Sequence, residues 1–346
     1  MKKVVVGISG GVDSSVAALI LKNQGYEVIG VTFILTDEVN INDAKKICET
    51  LEIEHHIVDY RKIFKEEVID KFLNDYKKGL TPNPCVACNR TIKINFLYEK
   101  MKEYNADYIA TGHYAKVKDG KLYKSADQNK DQTYFLSNIT KQQLQKILLP
   151  LEGIDKETVR KIARENNLIS ATKKDSTDIC FISNDFKKYM VNNIESKIGD
   201  VVNVINNSVI GKHSGLTKYT IGQRRGLNIG GTKDRMYVVG KDINKNILYI
   251  ATGEDNEYLI STSCILENVN ILSDELPKQC TAKFRYRSEE IDVTIKKLEN
   301  NTVEVFYNAV KSVTPGQVCV FYSNKECLGC GIIKEVRKNQ EKLWYL

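Results

Sequence analysis

Val4-Val5-Val6-Gly7-Ile8-Ser9-Gly10-Gly11-Val12-Asp13-Ser14-Ser15 decides the fold of this chain. Three β-branched residues in a row read as a buried strand and the glycines as a tight turn. Val16, Leu19 and Ile20 beyond them form the apolar face of a helix that stops at Gly25. Asp13 and Ser14 offer the side-chain oxygens expected of an N-cap. In that order, strand, turn and helix aim the N–H groups and hydroxyls of the turn at an anion beside the positive helix end. Adjacent glycines let the backbone approach a phosphate closely. No lysine follows them, so the loop is not a Walker A, and its spacing misses the G-x-G-x-x-G dinucleotide pattern.

Outward from this loop, apolar runs alternate with amphipathic stretches: Val28–Phe33, a helix-like Asn42–Leu51, then His56–Val58. Such alternation predicts a parallel sheet with crossover helices. Lys62–Lys78 reads as a charged helix, Leu80-Thr81-Pro82-Asn83-Pro84 as a rigid turn, and Arg90–Tyr104 as a further helix. A strand at Tyr108–Ala110 ends on Thr111-Gly112-His113, at the carboxyl edge of a sheet, where open α/β folds bind ligands. Lys141–Leu148 and Lys156–Asn166 again read as helices. After about Ile194 the pattern turns to short strands, at Val201–Ile205, Met236–Val239, Ile247–Ile250, Ala282–Tyr286, Val303–Tyr307 and Val318–Tyr322. These suit one or two small barrels or sandwiches. The expectation is an α/β chain with a parallel-sheet domain over 1–195 and two smaller β-rich domains over 196–267 and 268–346.

The composition agrees with two or three globular domains, since 346 residues exceed one ordinary domain and 42% hydrophobic with 27% charged residues leaves no room for a disordered chain. No run approaches the roughly 18 apolar residues of a membrane span, and nothing resembles a signal peptide. The expected compartment is therefore the reducing cytoplasm, where nine cysteines serve as ligands or catalysts rather than as staples. A net charge of +7 permits an RNA partner without demanding one.

The string Ser9-Gly10-Gly11-Val12-Asp13-Ser14 resembles the loop of the ATP pyrophosphatase (PP-loop) superfamily, which splits ATP between its α and β phosphates. Further segments narrow the likeness: Thr81-Pro82-Asn83-Pro84-Cys85-Val86-Ala87-Cys88-Asn89, Ala110-Thr111-Gly112-His113-Tyr114, Lys130-Asp131-Gln132-Thr133-Tyr134-Phe135-Leu136 and Lys173-Lys174-Asp175-Ser176-Thr177-Asp178-Ile179-Cys180-Phe181-Ile182. With Tyr219–Leu227, Arg285-Tyr286-Arg287 and Val313–Gln317, the chain resembles the tRNA 2-thiouridylase family over essentially its whole length.

That resemblance implies ATP with Mg²⁺, adenylylation of the C2 oxygen of the wobble uridine in tRNAs for lysine, glutamate and glutamine, and a cysteine desulfurase or its relay as sulfur donor. It makes Gly7, Ile8, Ser9, Gly10, Gly11, Val12, Asp13 and Ser14 the ATP loop of a PP-loop catalytic domain, with Phe33 against adenine and Gly112 beside the nucleotide. It makes Cys180 the persulfide carrier and Cys88 the nucleophile. Asn83, Pro84, Cys85, His113, Lys130, Asp131, Gln132, Arg285, Tyr286 and Gln317 become tRNA contacts. Arg90, Lys173 and Lys174 are the cations expected to lower the pKa of the thiols.

Many family members carry aspartate where this chain has Cys85. Cys85, Cys88 and Cys180 together form a set suited to an iron–sulfur cluster with one open iron, which stands as an alternative to the persulfide route. A zinc clip is a further alternative, although three thiols do not close a four-coordinate site. Cys327 and Cys330 repeat the C-x-x-C spacing, where small buried thiols of a β core are the simpler expectation. The rival functions are another PP-loop enzyme acting on tRNA or a nucleobase, and a non-catalytic RNA-binding iron–sulfur protein.

Overall fold

Short apolar strands separated by long excursions bury both faces only in a parallel sheet covered by helices. The computed structural model describes residues 1–37, 41–173, 179–182, 185–227 and 235–346, and its first part contains such a sheet. The strands are β1 (Lys3–Gly7), β2 (Glu27–Ile34), β3 (Glu54–Asp59), β4 (Tyr108–Ala110), the hairpin β5 (Ala115–Lys118) and β6 (Lys121–Lys124), and β7 (Ile147–Leu148). All but the hairpin join in the order β3-β2-β1-β4-β7, parallel throughout. Val4 and Val6 pack against the helix Val12–Asn23, and Val5 packs on the opposite face against Ile94 and Leu97. Both faces are thus apolar, each buried valine contributing about 1.5–3 kcal/mol. The strand order reverses between β1 and β4, where Val6 lies opposite Ala110. A crevice opens at such a switch point, and the glycine-rich loop and Thr111-Gly112-His113 both leave the sheet there.

Two expectations are corrected in this part. The helix after Pro82 begins at Pro84, not near Arg90, because proline suits the first helical position and the Asn83 carboxamide oxygen accepts from the Cys85 and Val86 N–H groups. It runs on through a wider turn at Asn89–Lys93 into Ile94–Glu103, so Cys85 and Cys88 stand in its first turn. The helix at Lys141 ends at Leu144, since Ile147 and Leu148 pair with β4 as an edge strand.

The second part is a four-stranded sheet of β8 (Gly199–Asn203), β9 (Val209–His213), β10 (Met236–Asp242) and β11 (Ile247–Thr252), ordered β10-β11-β8-β9. In the third, β12 (Ile260–Ile271), β13 (Gln279–Lys283), β14 (Ile291–Lys297), β15 (Val303–Lys311), β16 (Val318–Ser323) and β17 (Glu326–Lys338) run in the order β12-β15-β14-β13-β16-β17. β12 also pairs with β17, which closes a six-stranded barrel. A division between 267 and 268 would cut β12, a continuous strand of that barrel, so the break lies before Ile260.

The barrel is fused to the first part. β6 adds to β17 with Leu122 opposite Cys327, and Val318, Val320, Tyr322, Cys327 and Cys330 share one core with Leu122, Tyr134 and Leu136. Cys264, Cys319, Cys327 and Cys330 are all buried thiols of this β structure.

Candidate active site

Hydroxyls and glycines of residues 8–15 fold back on themselves. Ser14 Oγ accepts from the Ser9 N–H and donates to the Gly11 carbonyl, and Ser15 Oγ donates to the same carbonyl at 2.7 Å. Gly11 itself is the helix N-cap, without a side-chain cap. Asp13, expected to cap the helix, is instead held by the Tyr114 hydroxyl at 2.7 Å and by Lys156 Nζ at 2.7 and 2.8 Å. Lys173 donates to the Gly10 carbonyl and to Asp43. Two ammonium groups therefore flank a turn built for phosphate. Nothing in sequence spacing marks Lys156, which lies 143 residues from Asp13 and meets it only through the fold.

Gly112 closes the other side of the crevice. A Cβ there would lie 2.6 Å from the Asp13 carbonyl carbon and 2.7 Å from the Ser14 nitrogen, so only glycine lets β4's exit turn pack on the loop. Phe33, at the end of β2, meets Tyr60 edge-on with centroids 5.4 Å apart, while Tyr60 stacks on Phe96 at 3.9 Å. This aromatic wall continues into the cluster of Phe64, Ile92 and Cys88, so the Phe33 side of the crevice adjoins the thiols.

Cys85, Cys88 and Cys180 lie within electrostatic reach of one another and, among the described residues, of one cation, Lys93. Their surroundings form a gradient: Cys180 is exposed, Cys85 half-buried and Cys88 buried. Burial pushes the Cys88 thiol up to about 12 against the pull of Lys93, and it raises Cys85 in the same way. Burial disfavours the charged form of Lys93, but the charges of Cys88, Cys180 and Cys85 together outweigh it and raise its pKa. His113 belongs to the same pocket: burial first, then Lys93, hold its imidazole down at about 3, and Nδ1 shares a 2.8 Å hydrogen bond with Thr111 Oγ1. It stays neutral at any physiological pH. Phosphate loop, Thr-Gly-His turn, lysine and thiols thus form one continuous site.

The cations expected beside the thiols are placed otherwise. Arg90 donates to the carbonyl and side-chain oxygens of Asn138, Lys173 serves the glycine loop, and Lys174 with Asp175, Ser176, Thr177 and Asp178 lies outside the described residues. Lys93 was missed. Its only sequence signal is its position five residues after Cys88, which the wide turn Asn89–Lys93 brings back toward that thiol.

Among the expected RNA contacts, Asn83 and Pro84 are spent on starting the helix. Lys130 is half-exposed, but Asp131 is buried, accepting from the Ser125 N–H and the Thr133 hydroxyl, and so shapes its loop instead of facing solvent. Gln132 accepts from the Tyr114 N–H, behind Asp13. Arg285 is an internal clamp, its guanidinium donating to the Ile221 and Ser312 carbonyls and the Thr314 hydroxyl, and Tyr286 packs on Phe135. Gln317 donates to the Thr81 carbonyl.

Among the described residues no three His, Cys, Asp or Glu side chains converge as a metal site. Cys85, Cys88 and Cys180 all feel the charge of Lys93 but are not gathered as an iron–sulfur ligand set. No helix among the described residues is long and apolar enough to cross a membrane.

Family models match residues 2–184 (tRNA methyl transferase HUP domain), 187–252 (tRNA methyl transferase PRC-barrel domain) and 261–333 (aminomethyltransferase beta-barrel domain). The chain is 46% identical to the tRNA-specific 2-thiouridylase MnmA of Mycoplasmopsis synoviae, over 100% of this chain and 99% of that one. It is 47% identical to MnmA 2 of Geobacillus kaustophilus, over 99% and 98%. To MnmA of Bacillus subtilis it is 44% identical, again over 99% and 98%.

Proposed function

This chain belongs to the tRNA-specific 2-thiouridylase family, and on that premise we propose how its residues divide the work. The enzyme replaces the C2 oxygen of a tRNA uridine with sulfur. One observation carries the division: a phosphate-binding crevice and a three-thiol pocket adjoin, linked by His113 and Lys93. The family models speak of methyl transfer, but thiols opposite a phosphate loop favour thiolation.

ATP binds with its phosphates on Ser9, Gly10, Gly11 and Ser14, between Lys156 and Lys173, and with adenine toward Phe33. Mg²⁺ accompanies the phosphates. The wobble uridine of tRNAs for lysine, glutamate and glutamine leaves its stack to enter the crevice, since its C2 is out of reach within a stack. Its O2 attacks the α-phosphorus and pyrophosphate departs. The terminal sulfur of a Cys180 persulfide, loaded at that exposed position by a cytoplasmic cysteine desulfurase or its relay, attacks C2 and AMP leaves. Cys88 then attacks Cys180 Sγ, which frees 2-thiouridine and leaves a Cys88–Cys180 disulfide. Lys93 offsets the sulfur charge at each stage, and His113, neutral, offers a hydrogen bond beside the base.

Anaerobically purified protein, assayed for iron and then given tRNA, ATP, cysteine and a desulfurase, tests this. Iron-free protein that forms 2-thiouridine with release of pyrophosphate, and that in Cys180→Ser loses 2-thiouridine while still releasing a first equivalent of pyrophosphate, supports the persulfide division. Activity that rises and falls with bound iron overturns it, and an absence of tRNA thiolation overturns the wider reading.

A further inference from the structure

The exposure gradient across the three thiols raises a problem that the cycle must solve. A Cys88–Cys180 disulfide closes each turnover, yet Cys88 is only 5% exposed. An external thiol therefore reaches only the Cys180 sulfur. Attack there would leave a mixed disulfide on the residue that must accept the next sulfur. Cys85 is placed to avoid this. It lies one helical turn before Cys88, intermediate in burial between that sulfur and the exposed Cys180, and within electrostatic range of both and of Lys93.

Resting on the persulfide reading above, we propose that Cys85 is the resolving thiol of this enzyme. Its sulfur attacks Cys88 Sγ, the Cys85–Cys88 bond forms, the Cys88–Cys180 bond breaks, and the electron pair leaves on Cys180, which takes up the proton given up by Cys85. One disulfide is exchanged for another, so the step itself consumes no oxidant or reductant. Cys180 emerges as a free, exposed thiol ready for reloading. A dithiol reductant then opens the Cys85–Cys88 bond by attack at the more accessible Cys85. Residues i and i+3 of a helix have Cβ atoms about 5–6 Å apart, against about 3.5–4.5 Å in a disulfide. The first turn must therefore tighten by about an ångström or two. At its start the Asn83 carboxamide oxygen accepts from the Cys85 and Val86 N–H groups and can follow such a movement.

The full-length enzyme, charged with persulfide by a desulfurase and cysteine and freed of both, is given tRNA and ATP without reductant for one turnover. It is then trapped with N-ethylmaleimide and its disulfides mapped by mass spectrometry under non-reducing conditions. Cys85–Cys88 linkage with alkylated Cys180 is the expected result. Cys85→Ser should instead accumulate Cys88–Cys180, and with dithiothreitol present its later turnovers should slow at least about tenfold more than its first, as an intramolecular exchange is lost. If the wild-type enzyme makes 2-thiouridine and retains Cys88–Cys180, the resolving role falls while the persulfide route stands. If it makes 2-thiouridine with no disulfide at all, both fall.

Discussion

Gln317, in the barrel, donates its side-chain amide to the carbonyl of Thr81, three residues from the start of the helix that bears Cys85 and Cys88. The Thr81 N–H in turn reaches the Pro315 carbonyl at 2.9 Å, and Gly316 between them has φ of +89°. A Cβ at Gly316 would lie 2.8 Å from the Thr81 nitrogen. Gln317→Ala should cost about 1 kcal/mol of stability. Gly316→Ala, with both backbone strain and collision, should cost about 1–3 kcal/mol and lower thiolation more than pyrophosphate release. Urea unfolding and the two assays, run in parallel, separate these effects.

Lys93 is the cation common to the three thiols. Its removal in Lys93→Met should shift alkylation of Cys180 by iodoacetamide to higher pH, because the charge that favours the thiolate is gone. Sulfur transfer should fall by roughly 10²-fold, with ATP affinity little changed. An alkylation profile that does not move would remove Lys93 from the sulfur chemistry.

Gly112→Ala should strike the opposite half of the site. The added methyl group meets the Asp13–Ser14 backbone, and displacement of a reacting group by about 1 Å costs on the order of 10²-fold in rate. ATP binding by calorimetry should weaken while the far-ultraviolet dichroism is retained.

Lys241, in β10, is buried and its ammonium nitrogen has no hydrogen-bond partner among the described residues. Burial alone holds it down at about 8, against 10.5 for an ordinary lysine. Between these values the unfolded chain binds more protons than the folded one, so this residue makes stability rise with pH from about 8 to 10.5. Below pH 8 the full cost, up to about 3 kcal/mol, is present. Lys241→Met should raise stability at pH 7 and flatten that slope, which urea titrations across the range would show.

The phosphate loop and the parallel sheet were legible because their signals are local: a run of valines, adjacent glycines, and a strand ending in Thr-Gly-His. The family motifs likewise pointed to Cys88 and Cys180, whose roles are those proposed above. Strand β12 stayed hidden because register shifts at Ile265/Leu266 and Glu267/Asn270 interrupt the alternation that marks a strand, and β17 because four different partners cover its two sides. Arg285 and Asp131 look like surface RNA contacts in the sequence, since a charge bonded to internal carbonyls or N–H groups has no distinctive pattern. Lys156 and Lys93 illustrate the remaining limit, because Lys156 meets its partner in the first turn of a helix far off in the chain and Lys93 reaches the thiols through an irregular turn.

The β5–β6 hairpin belongs by sequence to the nucleotide-binding half and by hydrogen bonding to the barrel. A gene truncated ahead of the barrel would therefore encode a catalytic half with a raw sheet edge at β6 and an uncovered apolar floor beneath Tyr134 and Leu136. Stop codons in the last quarter of the reading frame are therefore expected to act as folding lesions, giving insoluble or degraded protein and not an enzyme of altered specificity.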